Sequence, residues 1–216
     1  TTGSTVMTGL DNTDQGILLW RALLQWIGGV GFIVAGIALL PIMRVGGMQL
    51  YQTESSEKGE KALASAARFA SATVWIYLAL TFICAIAYLS GGMTGFEALV
   101  HAFTTVSSGG YSTSDSSFGL FDSAYLQWMG TFFMLTAALP FAWYIRVLTR
   151  GAFRSEQIHA LLISLSSAIF ILTLWRVITA HTPVLETLRL VAFNVVSVVT
   201  TTGFATTDYT LWGPFA

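Results

Sequence analysis

The sequence predicts an all-α polytopic membrane protein made of repeated units. Each unit is a helix, a re-entrant half-helix, a glycine loop and a second helix, and the repeat is expected to be an incomplete fragment. Three observations predict this. The 216 residues are 54% hydrophobic and only 10% charged, against roughly 25% charge in a soluble domain. Several uncharged runs approach or exceed the length that crosses a bilayer. Three polar stretches interrupt them: Thr1-Thr2-Gly3-Ser4-Thr5, Ser107-Ser108-Gly109-Gly110-Tyr111-Ser112-Thr113 and Thr201-Thr202-Gly203-Phe204-Ala205-Thr206-Thr207, with Gly3, Gly109 and Gly203 lying 106 and then 94 residues apart. Inside a membrane, non-helical backbone is tolerated only where protein buries it or it lines a watery cavity.

The spans follow in order. Residues 22–43 and 69–89 carry no charge. Residues 123–145 are also uncharged but contain Gly130 and Pro140, so a kink is expected there. Residues 157–175 are shorter and uncharged. Two further segments are too short to cross. Residues 95–106 would form a helix of roughly 18 Å, opened by Thr94-Gly95-Phe96-Glu97, which has the capping-box pattern. Residues 184–199 follow Thr182-Pro183, with Pro183 expected at the first helical position. Each half-helix runs into a glycine loop. Its C-terminal end carries partial negative charge and favours a cation.

Orientation is read from Lys and Arg. Arg44, Lys58, Lys61, Arg68, Arg146, Arg150 and Arg154, seven of the ten basic residues, lie on the side away from the glycine loops. Asp11, Asp14, Glu97, Asp115, Asp122, Glu186 and Asp208, seven of the eleven acids, lie on the loop side. The loops are therefore expected to face outward and the basic linkers inward. The acids either concentrate cations at the entrance or merely solvate loops. These breaks divide the chain into residues 1–43 (loop and inner helix of a first unit), 44–68 (a polar cytoplasmic linker), 69–147 (a complete second unit), 148–156 (a second linker) and 157–216 (first helix, half-helix and loop of a third).

Repetition is supported by Leu24-Gln25-Trp26-Ile27-Gly28 after the first loop and Leu126-Gln127-Trp128-Met129-Gly130 after the second. Glycine permits the backbone angles that turn carbonyls toward an axis, and it leaves that axis clear. Carbonyl oxygens replace the water shell of a large monovalent cation. A divalent ion would call for carboxylates, and the loops hold none.

On these residues, together with Trp20-Arg21, the run His101-Ala102-Phe103-Thr104-Thr105-Val106-Ser107-Ser108-Gly109-Gly110 and the run from Phe193 to Phe204, the chain resembles the Trk/Ktr/HKT superfamily of potassium transporters, most closely its bacterial TrkH-type subunits. The likeness extends over essentially the whole chain. It implies four units in pseudo-fourfold symmetry around one pore and potassium uptake across the bacterial inner membrane. It also implies a homodimer and a cytosolic nucleotide-binding regulatory subunit of the TrkA type. Carried over by position, the potassium-binding filter would be Thr1, Thr2 and Gly3; Ser107, Ser108 and Gly109; Thr201, Thr202 and Gly203. Gly3, where some sodium-permeable relatives have serine, would favour potassium. The second loop departs from the commoner pattern in reading Ser-Ser-Gly-Gly-Tyr. No cofactor is expected in this chain beyond the transported ion; the nucleotide would sit on the regulatory partner.

Membrane lipid is the expected surroundings, and nothing is basic enough to suggest nucleic acid. The rival reading is a secondary carrier with midplane broken helices for another monovalent cation such as sodium. An enzyme is not expected, because no nucleophile–base or metal-ligand motif is present. The lone Cys84 reads as a small apolar side chain against lipid or a helix. His101 reads as a hydrogen-bonded structural histidine or a proton relay. Arg21 reads as an element of the outer mouth or a partner of Asp11 or Asp14. The seven tryptophans read as an aromatic belt, and Gly28, Gly29 and Gly31 as sites of close helix contact.

Overall fold

The computed structural model describes residues 1, 5–43, 56–208 and 212. The described regular structure is helical. It comprises α1 (Gln15–Met43), α2 (Ser56–Ser90), α3 (Gly95–Val106), α4 (Ala124–Ala137), α5 (Phe141–Arg150), α6 (Glu156–Ala180) and α7 (Val184–Val199), with 3-10 turns at Leu10–Asn12 and Ser117–Leu120. Among the described residues, two stretches are long and apolar enough to cross a membrane, Arg68–Ser90 in α2 and Glu156–Ala180, or three if α4 and α5 count as one broken span. The uncharged run of residues 22–43 lies within α1, whose 29 residues reach about 43 Å. By length and composition these helices are those of a membrane protein.

Both half-helices form over the residues expected of them. At α3, the Thr94 hydroxyl accepts from the Glu97 backbone N–H, and Glu97 reaches back to the Thr94 backbone N–H. Two donors that the first turn would leave orphaned are thereby satisfied. At α7, Pro183 takes the N-cap position, one residue before the place expected for it. Proline has no N–H to lose there, and its fixed φ leads into the helix.

The third apolar run bends at Pro140, as expected, but more sharply than a kinked span. Residues 123–145 form two helices whose axes differ by 85°, with the break at Ala138–Leu139–Pro140. Pro140 offers no N–H to the Thr136 carbonyl four residues earlier. That carbonyl instead accepts from Leu139 N–H at 3.2 Å and from the Tyr144 hydroxyl at 2.7 Å, so the acceptor freed by the proline is covered. Gly130 makes no kink. It lies within α4, and an added Cβ would meet Phe193 at 2.8 Å and Phe118 at 3.2 Å, so its role is close packing.

The polar linkers are also shorter than expected. Within 44–68, residues 44–55 lie outside the described residues, and Ser56 onward is already helical. Its Glu, Lys and Ala content favours a helix. Within 148–156, α5 runs on to Arg150, Gly151 closes it in the left-handed region at φ 63°, and α6 begins at Glu156.

The packing repeats. α3 is held by α1, α2 and α4, and α7 by α4 and α6. Thus α1 stands to α3 as α4 stands to α7, and α2 stands to α3 as α6 stands to α7. The core joins Tyr77, Cys84 and Tyr88 of α2 to Ala98, Ala102 and Val106 of α3, Phe133 and Met134 of α4, and Phe193 and Val196 of α7. Cys84 is fully buried against its neighbours. At the centre sits Phe118, whose ring lies 4.9–5.8 Å from those of Phe193, Phe204, Phe121, His101 and Tyr88. Trp26 also belongs to the interior and not to a belt: its indole donates to Thr81 Oγ1, and its ring packs on Tyr77 and Phe103. Trp20 and Trp75 are exposed, as a belt requires.

Candidate functional site

The second and third glycine loops are built alike, residue for residue. α3 ends at Val106 and α7 at Val199, and each helix cap hands over to a residue with positive φ: Ser108 at 53° and Thr201 at 60°. Two residues later the backbone is left-handed again, at Gly110 (73°) and Gly203 (87°). The hydrogen bonds confirm the pairing. Gly109 N–H and Gly110 N–H both reach the Thr104 carbonyl, as Thr202 N–H and Gly203 N–H reach the Ser197 carbonyl. The Thr104 hydroxyl donates to Tyr111 O at 2.7 Å, and the Ser197 hydroxyl donates to Phe204 O at 2.6 Å. The structure thus sets Gly110, and not Gly109, opposite Gly203. The expected register slips by one because the second loop holds two adjacent glycines, and only the backbone angles decide between them. Ser107, Ser108 and Gly109 then correspond to Thr200, Thr201 and Thr202.

A second tie repeats one turn higher. His101 Nδ1 bonds Glu97 O at 2.8 Å, and Nε2 bonds the Ser112 hydroxyl at 3.0 Å. Asn194 Nδ2 donates to Leu190 O and to Thr206 Oγ1, both at 2.8 Å, while its Oδ1 accepts from Thr206 N–H. Each side chain fastens the arm that leaves a loop to the half-helix that enters it. His101 is fully buried among Phe118, Phe121 and Phe204. Of its two expected roles, the structural one is what the geometry shows.

The loops adjoin. At Gly110 an added Cβ would overlap the Thr202 carbonyl oxygen, so backbone lies directly against backbone. Beyond that contact, Gly119 N–H donates to Ala205 O at 3.0 Å and Ala205 N–H to the Ser117 hydroxyl at 3.2 Å. Thr2 and Gly3 of the first loop lie outside the described residues. Thr1 lines a cavity of about 230 Å³ together with Arg21, Leu24, Gln25 and Tyr111, which brings the first loop beside the second. The chain that follows the first loop is held by Asp115, whose carboxylate accepts from Gly9 N–H at 2.7 Å and Leu10 N–H at 3.2 Å. This acid therefore shapes a loop contact. Arg21 donates to Thr5 Oγ1 at 3.0 Å and lies 4.2 Å over the Tyr111 ring; neither Asp11 nor Asp14 is its partner among the described residues.

Chemically the loops offer backbone oxygen. Among the described residues, no hydrogen bond ends on the carbonyls of Ser108, Gly110, Thr201 or Gly203. Thr201 and Gly203 are exposed, and Ser108 and Gly110 are partly so. No described cluster of His, Cys, Asp or Glu has the makings of a transition-metal site. One feature escaped the sequence reading. Gln25, there only a mark of repetition, donates from Nε2 to Gly109 O at 2.8 Å and accepts at Oε1 from Tyr111 N–H at 3.2 Å. Gly29, one turn on, is pressed against Tyr77 Oη and Ser107 Cβ, which an added Cβ would meet at 2.9 and 3.0 Å. Of the three glycines expected to allow close contact, Gly29 does so most tightly; at Gly31 the space is open among the described residues.

Comparison with known proteins gives the same picture. Residues 1–184 match the model of the TrkH family, described as cation transport protein. The chain is 47% identical to the Trk system potassium uptake protein TrkI of Halomonas elongata, over all of this chain and 44% of that protein. It is 35% identical to the Trk system potassium uptake protein TrkH of Escherichia coli K12, over all of this chain and 46% of that one. The crystal structure of the potassium transporter TrkH from Vibrio parahaemolyticus superposes with a TM-score of 0.83 at 32% identity, covering 99% of this chain and 44% of that one. The chain thus spans somewhat less than half the length of the relatives it matches. With the half-helices, the repeated loops and the family match in agreement, this chain belongs to the TrkH family of cation transport proteins.

Proposed function

We propose that this chain supplies part of the pore of a potassium-uptake protein, and that its glycine loops are the selectivity filter. The carrying observation is the packing of Gly110 against the Thr202 carbonyl. It seats two loops edge to edge with unpaired carbonyls, at the C-terminal ends of two half-helices. Dehydrated potassium would be held by backbone oxygens of the segments Thr1, Thr2 and Gly3 in the first loop, Ser107, Ser108, Gly109 and Gly110 in the second, where Gly109 O is engaged by Gln25 and those of Ser108 and Gly110 are open to the ion, and Thr201, Thr202 and Gly203 in the third. Hydroxyls at Thr104 and Ser197 brace the loops from behind, so the oxygens are fixed before the ion arrives.

Potassium is favoured over sodium by the relatives named as potassium uptake proteins. The site acts in the bacterial inner membrane, with the loops outward and the basic linker side, with Arg146, Arg150 and Arg154, toward the cytoplasm. The full protein works as a homodimer with a cytosolic nucleotide-binding regulator, in keeping with the word system in its relatives' names. The sodium-carrier reading is less well supported, since residues 107–113 and 200–207 carry no charged side chain for a carrier to switch.

The test is rubidium and potassium uptake by the full-length protein containing this chain, in a strain lacking its own uptake systems. Gly110→Ser drives a side chain into the Thr202 carbonyl and is expected to lower uptake by about tenfold or more. Wild-type protein that fails to support uptake, or a Gly110→Ser variant that transports normally, rejects the filter.

A further inference from the structure

We propose that Gln25 is a positioning residue for the second filter loop, and that the residue at position 109 decides whether such a clamp exists at all. The inference rests on the pore reading above.

Gln25 lies on α1, in the unit before the loop it touches, and is 4% exposed. Its amide makes two bonds to one short stretch of backbone, giving to Gly109 O and taking from Tyr111 N–H. A planar amide meets a peptide edge in this way with both of its polar atoms satisfied. Gly109 is what admits it. An added Cβ at 109 would overlap the Gln25 carboxamide, so glycine here makes room for a side chain from another helix. This use of glycine differs from that at Gly110, where the left-handed backbone and the Thr202 oxygen exclude a side chain.

The third loop provides the contrast. Gln127 on α4 is the counterpart of Gln25 by sequence and by packing, since α4 lies against α7 as α1 lies against α3. The residue corresponding to Gly109 is Thr202. Its side chain is buried and bonded to Thr200 Oγ1 at 2.8 Å. Gln127 accordingly turns away. Its Nε2 donates to Phe121 O at 3.1 Å, and its Oε1, although buried, has no partner among the described residues. Two glutamines at equivalent places therefore do different things, and the change accompanies glycine against threonine in the loop. Both loops are braced by a hydroxyl of their own half-helix, and the second is held in addition by a side chain of the neighbouring unit.

The experiment uses the full-length protein, purified and reconstituted in lipid vesicles, and reads potassium against sodium uptake. Gln25→Leu removes both bonds. Gly109→Ala leaves Gln25 in the sequence but evicts its amide. Each is expected to lower the potassium-to-sodium ratio by about tenfold, and Gln25→Ala combined with Gly109→Ala is expected to do no more than Gln25→Ala alone, because the two changes remove one interaction. Gln127→Leu is expected to leave the ratio unchanged. If Gln25→Leu does not fold, Gln25→Glu decides, since it keeps the size and the acceptor for Tyr111 but loses the donor to Gly109; a lowered ratio supports the clamp. The clamp is overturned if wild-type vesicles prefer potassium while the Gln25 and Gly109 variants keep that preference, or if their effects add. Wild-type vesicles without potassium preference reject the pore reading itself, and so the two failures are told apart.

Discussion

His101 and Asn194 differ in size and in side-chain chemistry, yet they do one job. Each ties the carbonyl one turn back in its half-helix to the arm beyond its loop. That equivalence argues that the histidine is used as a hydrogen-bonding shape, because its counterpart has no proton to relay. His101→Asn is therefore expected to keep uptake within about threefold and leave its pH profile unchanged, with some loss of thermal stability from the aromatic contacts given up. Abolished uptake in a variant that folds would reinstate a proton path. Neither the partner of His101 nor that of Gln25 was legible beforehand, since Ser112 and Gly109 are reached only through the fold. The adjacent Gly109 and Gly110 were likewise ambiguous on paper, because composition cannot reveal which of two glycines has positive φ.

At the scale of the element, local signals served well where they were local. The capping box at Thr94 and Glu97 and the proline at 183 set the starts of both half-helices, and the structure agrees to within a residue. Thr94→Ala is expected to cost about 1 kcal/mol, read as a lower melting temperature. The α4–α5 break was legible as a kink but not in size. Pro140 shows that a hydrogen bond must be lost; it does not show that Tyr144 will cover the freed carbonyl of Thr136 and hold the chain at 85°. Removing both causes with Pro140→Ala and Tyr144→Phe is expected to straighten the pair. Spin labels at 128 and 148, both exposed, would then move from about 20 Å to about 30 Å apart. An unchanged separation would assign the bend to packing against α2, which contacts α4 and α5 alike.

Across the whole molecule, the units are joined by what lies between them. Phe118, in the turn after the second loop, packs on α2, α3, α7 and the third loop together. Phe118→Ala is expected to cost about 3–5 kcal/mol, measured as a fall in melting temperature of the purified protein. A loss confined to a fraction of that would mean that the units hold together without it. The repeat and its membrane setting were readable from composition and spacing, because these belong to the chain at large. The joints were not, because each is made by residues far apart in sequence.

The nearness of Gly110 to the Thr202 oxygen carries one more consequence. In the proposed pore these two loops share a boundary with no side chain between them, so neither can yield outward without pushing its neighbour. Fit to an ion would then be a collective trait of the proposed filter, and damage to a single turn should degrade discrimination everywhere along it instead of opening one leaky flank.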